Sequence, residues 1–297
     1  MLVKPSREIF VNFPSAILPD KAVSVFLPEP AVPLHAQYPV VYLLGAVPTD
    51  KDAAQALLGR STQKAILVGL NVTDAELADT SKIVQFFSRE LIPYIATNYP
   101  TLDQPAFRVI AAKGDAGAKV LAALTARKNL FNSAVILNSS TPDVSPSGHG
   151  NALRMIAAGT QAEAAIWAGY LEQKGFHYGP GFITRIAAST SLFDVLDLDY
   201  LFADAEELEV AKLEGNVTPK TISIAQNEPA RASFTAWLGN GMHFDFVPST
   251  LRLAPPYVTW DPSQGTLTPI AGATVGTVKI SAVVDKIEFH GKIKLKK

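Results

Sequence analysis

The chain has 297 residues, of which 48% are hydrophobic and 18% charged, so it can bury a large core as one big domain or as one big and one small domain. Its formal net charge at pH 7 is −1, a balance that argues against nucleic acid as the main partner. The absence of cysteine excludes disulfides, thiolate nucleophiles and cysteine-ligated metal sites.

Apolar runs alternate with helical patterns through the first part of the chain, after an N-terminal stretch that predicts strands. Buried strands are predicted at residues 38–47, 64–72, 108–112 and 133–140, and helices at 51–60, at 81–100 and directly after residue 112. The apolar face of the second helix would be formed by Ile83, Phe86, Phe87, Leu91, Ile92 and Ile95. This alternation predicts an α/β fold with a mostly parallel sheet flanked by helices. Ligands of such sheets bind at the carboxyl ends of the strands, so the turns that matter follow residues 45, 72, 112, 138 and 226.

The composition and periodicity of the remaining sequence change near residue 250. Before it, the pattern predicts one long or two shorter helices at 151–175, a strand at 220–228, a helix at 229–241 and an edge strand at 242–248. After it, threonine, valine, proline and glycine with period-two alternation predict an all-β segment. We therefore predict two domains, a large α/β domain at residues 1–250 and a small β-strand module at 251–297.

The small module needs a surface to pack against. Its longest alternating run would present one apolar face, made of Val278, Ile280, Ala282 and Val284. A sheet of this size cannot bury such a face by itself. We expect the face to pack on the larger domain or on another molecule, either a protein partner or a second copy of the chain.

Three strings resemble the esterase-D-like branch of the α/β-hydrolase superfamily, which includes feruloyl-type carbohydrate esterases, enterochelin-esterase relatives and mycolyltransferases. "YPVVYLLGA" begins at residue 38 and resembles the family's "YPVLYLLHG" strand, and "FFSRELIPYIATNYPT" begins at residue 86 and resembles its "F..EELIPYI...Y.T" helix. "RVIAAKGDAGAKVLAAL" begins at residue 108 and resembles its "R.IAGHSMGGYGAL" elbow. The resemblance covers about residues 8 to 250 and implies an α/β-hydrolase fold; a catalytically active member would be a carboxylic-ester hydrolase.

The nucleophile elbow departs from the family pattern at its central position. The family's G-H-S-M-G falls on Ala112, Lys113, Gly114, Asp115 and Ala116, so the catalytic serine is replaced by Gly114. Glycine has no side chain that could attack a substrate. The resemblance therefore implies a degenerate elbow, in which Gly114 permits the tight turn and Asp115 caps the following helix.

The other parts of the family's catalytic site are also altered. Gly45 and Ala46 follow Leu43 and Leu44 where the family has "LLHG" before its oxyanion hole. Ser249 and Thr250 stand where glycine and the catalytic histidine are expected. The position of the acid falls on Asn227 or Glu228.

A relocated catalytic set is the alternative interpretation. A shift of one residue places Asp115 at the apex of the elbow, where an aspartate nucleophile would need a histidine to activate water. His243 or His149 would supply that base, with Glu228 as the acid. His35, His177 and His290 are interpreted as loop or surface residues.

These observations predict a non-catalytic esterase-like protein, a pseudoenzyme that acts in binding or structural assembly; the alternative is a hydrolase that uses Asp115 and a histidine. A carbohydrate or a small ester-like compound is the expected ligand. We predict no cofactor and no metal, because the histidines lack metal-ligand spacing and the phosphate-loop patterns are not met around Gly114 and Lys119. No 18-residue apolar run and no signal peptide are apparent, so we expect a soluble protein, either cytoplasmic or exported as a mature form.

Overall fold

The computed structural model describes residues 7–18, 21–28, 36–45, 51–127, 129–142, 153–187 and 191–297. Contacts divide the chain into two compact units, the first comprising Met1–Ile156 and Ser189–Ala203 and the second Ala157–Ala188 and Asp204–Lys297. This division differs from the predicted boundary at residue 250. The physical reason is that strands on both sides of residue 250 pair with one another in the second unit.

The first unit is built on a mixed sheet flanked by helices, as the sequence predicts. In spatial order its strands are β1 (Arg7–Phe13), β2 (Lys21–Phe26), β4 (Ile66–Leu70), β3 (Val40–Leu44), β5 (Arg108–Lys113), β6 (Ser133–Leu137) and β7 (Arg154–Gly159). The boundary between the two units falls within β7, after Ile156. The four strands from β4 to β6 run parallel, and β1 and β2 are added antiparallel. All residues of β3, β4 and β6 are buried, which explains their continuous apolar sequences.

The helices of the first unit cover this sheet with their apolar faces. They are α1 (Lys51–Arg60), α2 (Asp74–Leu77), α3 (Thr80–Phe86), a π-helical turn (Phe87–Leu91), α4 (Ile92–Asn98), α5 (Gly114–Thr125), α7 (Leu192–Val195) and α8 (Leu198–Leu201). The six apolar residues predicted to share one face between positions 83 and 95 are all buried. Phe87 and Phe131 pack edge-on against the buried ring of Tyr42, with centroids 5.6 Å away in both cases.

The second unit is rich in antiparallel strands. Its helix is α6 (Gln161–Gln173), and its strands are β8 (Phe182–Ile186), β9 (Val210–Thr218), β10 (Thr221–Ser223), β11 (Ala230–Leu238), β12 (His243–Phe246), β13 (Arg252–Ala254), β14 (Val258–Asp261), β15 (Thr266–Pro269), β16 (Gly276–Val284) and β17 (Ile287–Lys296). One sheet has the order β8, β12, β11, β15, β14, with β9 paired to β11. A second, four-stranded sheet has the order β10, β17, β16, β13.

Three predicted elements in this region were wrong. Residues 151–175 contain the buried strand β7 before helix α6, whose start at Thr160 is marked by a capping box with Glu163. The helix predicted at 229–241 is strand β11, in which every second side chain is buried. Alanines at positions 230, 232 and 236 fill the buried side of that strand, and their high helix propensity disguises the period of two. Strand β12 lies between β8 and β11 and is therefore not an edge strand.

The all-β pattern after residue 250 is confirmed, but these strands do not form a sheet of their own. β15 pairs with β11, and β17 pairs with β10, so strands from before residue 250 complete both sheets. The predicted apolar face is buried: Val278, Ile280 and Ala282 are fully inaccessible to solvent, and Val284 is 6% exposed. Within the described part of the chain, no helix is both long and apolar enough to cross a membrane.

We predict that Ile280→Ala destabilises the protein by about 3 kcal/mol, because it leaves a cavity in the face that the C-terminal strands bury. Lys279→Ala is the matched control, since Lys279 lies on the exposed face of the same strand and should change the free energy of unfolding by no more than about 0.5 kcal/mol. Urea denaturation measures both values. Equal effects of the two substitutions would contradict the assignment of the buried face.

Candidate functional site

The predicted strand–turn–helix is present and its turn is sharp. Strand β5 ends at Lys113 and helix α5 begins at Gly114, whose φ of +70° lies in the left-handed region. This conformation costs residues with a side chain about 1–2 kcal/mol, so glycine suits it. Three residues later, a Cβ on Gly117 would lie 2.9 Å from the Cβ of Ala112, so glycine there lets the helix approach the strand closely. The elbow backbone therefore depends on two glycines, Gly114 for the turn and Gly117 for the close packing.

The apex of the elbow carries no reactive atom. Apart from the neighbouring residues in the chain and the helix's own backbone, no described atom would lie within 4 Å of a Cβ built on Gly114, so the position is open rather than filled. The turn has a left-handed backbone at the junction of strand and helix, and glycine places no side chain at position 114.

Asp115 binds to the segment that follows the neighbouring strand. Its carboxylate accepts hydrogen bonds from the hydroxyl of Ser139 at 2.8 Å and from the backbone N–H groups of Ser140 and Thr141 at 2.9 and 3.1 Å. The expectation that Asp115 caps helix α5 was wrong, because the N-cap position is Lys113 and the carboxylate accepts its bonds from residues 139–141. Asp115 therefore connects the first turn of α5 to the end of β6.

These hydrogen bonds keep Asp115 ionised. Donors from Thr141 and Ser139, joined by the N–H groups of Ser140 and Thr141, lower the pKa of the exposed carboxyl to about 2. Asn138 precedes the three donors with a φ of +52°, and this left-handed turn follows directly on strand β6. The sequence pointed to the turn after residue 138 but did not identify its serines and threonine as partners of Asp115.

The end of strand β3 would contribute an oxyanion-hole donor in an active α/β-hydrolase. Gly45 has a φ of +72°, and its N–H donates to the backbone oxygen of Leu70 at 3.1 Å. That N–H is therefore used within the backbone. Ala46 lies outside the described residues, and Leu43 and Leu44 are buried in the strand.

The candidate bases and acids have other surroundings. His243 is exposed and stacks on the indole of Trp237 with ring centroids 4.4 Å apart. Glu228 is exposed after the turn that contains Asn227, whose φ is +50°. Both residues belong to the second unit, whereas Asp115 belongs to the first.

The remaining histidines do not add to the candidate set. His177 lies 3.2 Å from a carboxylate oxygen of Asp285, and His290 lies 3.0 Å from the hydroxyl of Ser281. His35 and His149 lie outside the described residues. Within the described ranges, no group of three or more His, Asp or Glu is arranged to hold a metal ion.

Ser249 and Thr250 occupy the positions where the family pattern has glycine and the catalytic histidine. Thr250 is exposed, and the hydroxyl of Ser249 donates to the carboxylate of Glu172 at 2.7 Å. Ser249 is thereby engaged in a hydrogen bond of the second unit.

The sequence matches the family model described as putative esterase over residues 15–180. Similar solved structures include a feruloyl (ferulic acid) esterase from Anaeromyces mucronatus, with 12% identity, coverage of 67% of this chain and 92% of that chain, and a TM-score of 0.49. An IroE-like serine hydrolase from Shewanella oneidensis has 18% identity, coverage of 67% and 78%, and a TM-score of 0.44. The enterobactin esterase from Shigella flexneri has 14% identity, coverage of 62% and 54%, and a TM-score of 0.44. Comparison with the curated proteins found no match.

We predict that Gly114→Ala destabilises the first unit by about 1 kcal/mol, because alanine is strained at a positive φ although space is available for its methyl group. Gly59→Ala is the control, since Gly59 lies in helix α1 without a positive φ and with open space at its Cβ; it should stabilise the protein by about 0.5 kcal/mol. Chemical denaturation of the two variants measures the difference. A neutral Gly114→Ala would contradict the left-handed elbow.

We predict that Asp115→Asn loosens the segment after β6, because a neutral amide accepts hydrogen bonds less strongly than a carboxylate. Hydrogen exchange at the amides of Ser140 and Thr141 should accelerate about tenfold, whereas Lys119→Gln, an exposed substitution on the same helix, should leave it unchanged. Unaltered exchange in Asp115→Asn would mean that the carboxylate does not hold this segment.

Proposed function

The chain belongs to the putative esterase family, and we propose that it is a member without ester-hydrolase activity, which acts in binding or structural assembly. The observation that carries the proposal is the elbow itself. Gly114 keeps the left-handed turn of a nucleophile elbow but offers no nucleophile, and the carboxylate beside it is engaged by Ser139, Ser140 and Thr141.

Loss of the nucleophile removes most of the chemical acceleration in enzymes of this kind. Catalytic triads act as a unit, and without them only the smaller contribution of the oxyanion hole and of substrate binding remains. The N–H of Gly45 donates to the backbone oxygen of Leu70, so this N–H does not supply an oxyanion-hole donor. The left-handed backbone turn is retained, and such a turn without a nucleophile is compatible with a role in binding.

The proposal extends to how the protein would act. The elbow presents an exposed, ionised carboxylate at the carboxyl ends of β5 and β6, where α/β proteins bind small ligands. A carbohydrate or a small ester-like compound is the proposed ligand class.

The C-terminal strands are proposed to contact a protein partner or a second copy of the chain. Strands β14 and β13 each end a sheet in the described part of the chain, and such edges favour strand addition.

A hydrolase with Asp115 as nucleophile is the second candidate. One observation favours it: the carboxylate is exposed and has a pKa of about 2, so it is ionised at neutral pH on the first turn of the elbow helix. Against it stand the three donors, because attack by a carboxylate oxygen would require some of these hydrogen bonds to break. The covalent ester formed in that reaction would also need a histidine to activate water.

We predict that the purified protein hydrolyses no p-nitrophenyl ester of a short- or medium-chain acid above the rate in buffer. Gly114→Ser should also be inactive, because adding a hydroxyl supplies no base. Gly114→Ala is the matched control for Gly114→Ser, since both carry the same backbone strain and only serine adds a nucleophile.

Two outcomes would overturn this proposal. Turnover by the natural chain that disappears in Asp115→Asn would establish the second candidate. Turnover by Gly114→Ser that Gly114→Ala does not share would reveal a base already in place beside the elbow. Circular dichroism of each variant verifies that it is folded.

A further inference from the structure

The second unit contains a cavity of about 340 Å³ that is separate from the elbow. Its walls come from the end of α6 and the loop after it, from the loop that joins β12 to β13, and from the turn between β16 and β17. The volume lies near the lower limit for small-molecule sites in proteins. Nothing in the sequence pattern indicated this cavity, because its walls are distant from one another along the chain.

Part of the cavity lining is apolar. It consists of the buried residues Phe176, Phe246, Pro248 and Val284, which we call the apolar floor. Tyr178 adds only its ring, since its hydroxyl donates to the backbone oxygen of Asp245 at 2.6 Å. A ligand that fills this space therefore has an apolar body.

Glu172 is the charged group with the least compensation in the cavity. Burial raises the pKa of this carboxyl, and the hydroxyl of Ser249, at 2.7 Å, opposes the shift only in part. A half-buried carboxylate with one neutral donor gains most from a cationic partner.

The other ionisable groups that line the cavity contact one another. Nδ1 of His177 and a carboxylate oxygen of Asp285 lie 3.2 Å apart, and both residues are exposed. Among the described residues that line the cavity there is no lysine or arginine. The nearby Lys174 places its ammonium over the ring of Tyr170, 5.4 Å from the centroid. The described lining thus supplies the Glu172 carboxylate and apolar side chains, without the cation of a lysine or an arginine.

We propose that this cavity binds a small organic ammonium ion with an apolar body, held by an ion pair to Glu172 and by contact with Phe176 and Phe246. The ammonium donates to the carboxylate, which also accepts from Ser249, and the apolar body is removed from water on the aromatic floor. This site lies within the second unit and does not rest on the function proposed for the elbow, so the outcome of the ester assays leaves it unaffected.

Three probes of similar size test the charge requirement on the full chain: phenethylamine as the cation, phenethyl alcohol as the neutral analogue and phenylacetate as the anion. Calorimetric titration at neutral pH should show the amine binding at least tenfold more tightly than the alcohol, with no binding of phenylacetate. Equal affinity for amine and alcohol, binding of phenylacetate or no binding of the amine would each overturn the proposal.

Substitutions then locate the site. Glu172→Gln should weaken phenethylamine binding at least tenfold, because the amide keeps the shape and removes the charge. Glu206→Gln is the matched control, since Glu206 is an exposed carboxylate of the same unit that does not line the cavity, and the variant should bind phenethylamine as the natural chain does. If Glu172→Gln fails to fold, Phe246→Leu tests the same site, because a smaller floor should weaken binding of the amine. Unchanged affinity for phenethylamine in a folded Glu172→Gln variant would contradict the proposal.

Discussion

The left-handed turn at Gly114 is the constraint on which the candidate site depends. A strand that is buried except for its last residue ends there, and a helix must begin at once and still lie close to that strand. The positive φ of Gly114 provides the change of direction, and Gly117 permits the close approach, because any side chain there would collide with Ala112. A nucleophilic residue with a side chain would be strained at this positive φ, and enzymes tolerate such strain because the residue is needed for catalysis. With glycine at the apex, the backbone strain is smaller and the turn is retained.

Asp115 connects the elbow to the segment that follows strand β6. Parallel strands β5 and β6 end side by side, and the carboxylate spans from the helix after the first to the segment after the second. Because its donors are hydroxyl and backbone N–H groups, the charge is stabilised without a cation, and the carboxyl is ionised at neutral pH. The interaction that stabilises the site is therefore also the one that restrains its most obvious reactive group.

The second unit depends on a different constraint, the burial of one apolar face of its antiparallel strands. Strand β11 uses alanine on its buried side, and the two C-terminal strands bury valine and isoleucine against their neighbours. The pair β16 and β17 could not bury such a face alone, so strands from earlier in the chain complete the sheets of the C-terminal region. The same arrangement brings Glu172, Phe246 and Val284 together around one cavity.

Local sequence determined the parallel strands, the amphipathic helix near residue 90 and the absence of a serine at position 114. Each of these features is visible in a continuous run of residues or in a short motif that resembles the family. Tertiary structure alone decided the elements rich in alanine, β7 and β11, since alanine is compatible with both a helix and a buried strand. It also decided the contacts that define the sites. Asp115 meets Ser139 across 24 positions and Glu172 meets Ser249 across 77, and no local pattern encodes which polar side chains the fold brings within hydrogen-bonding distance.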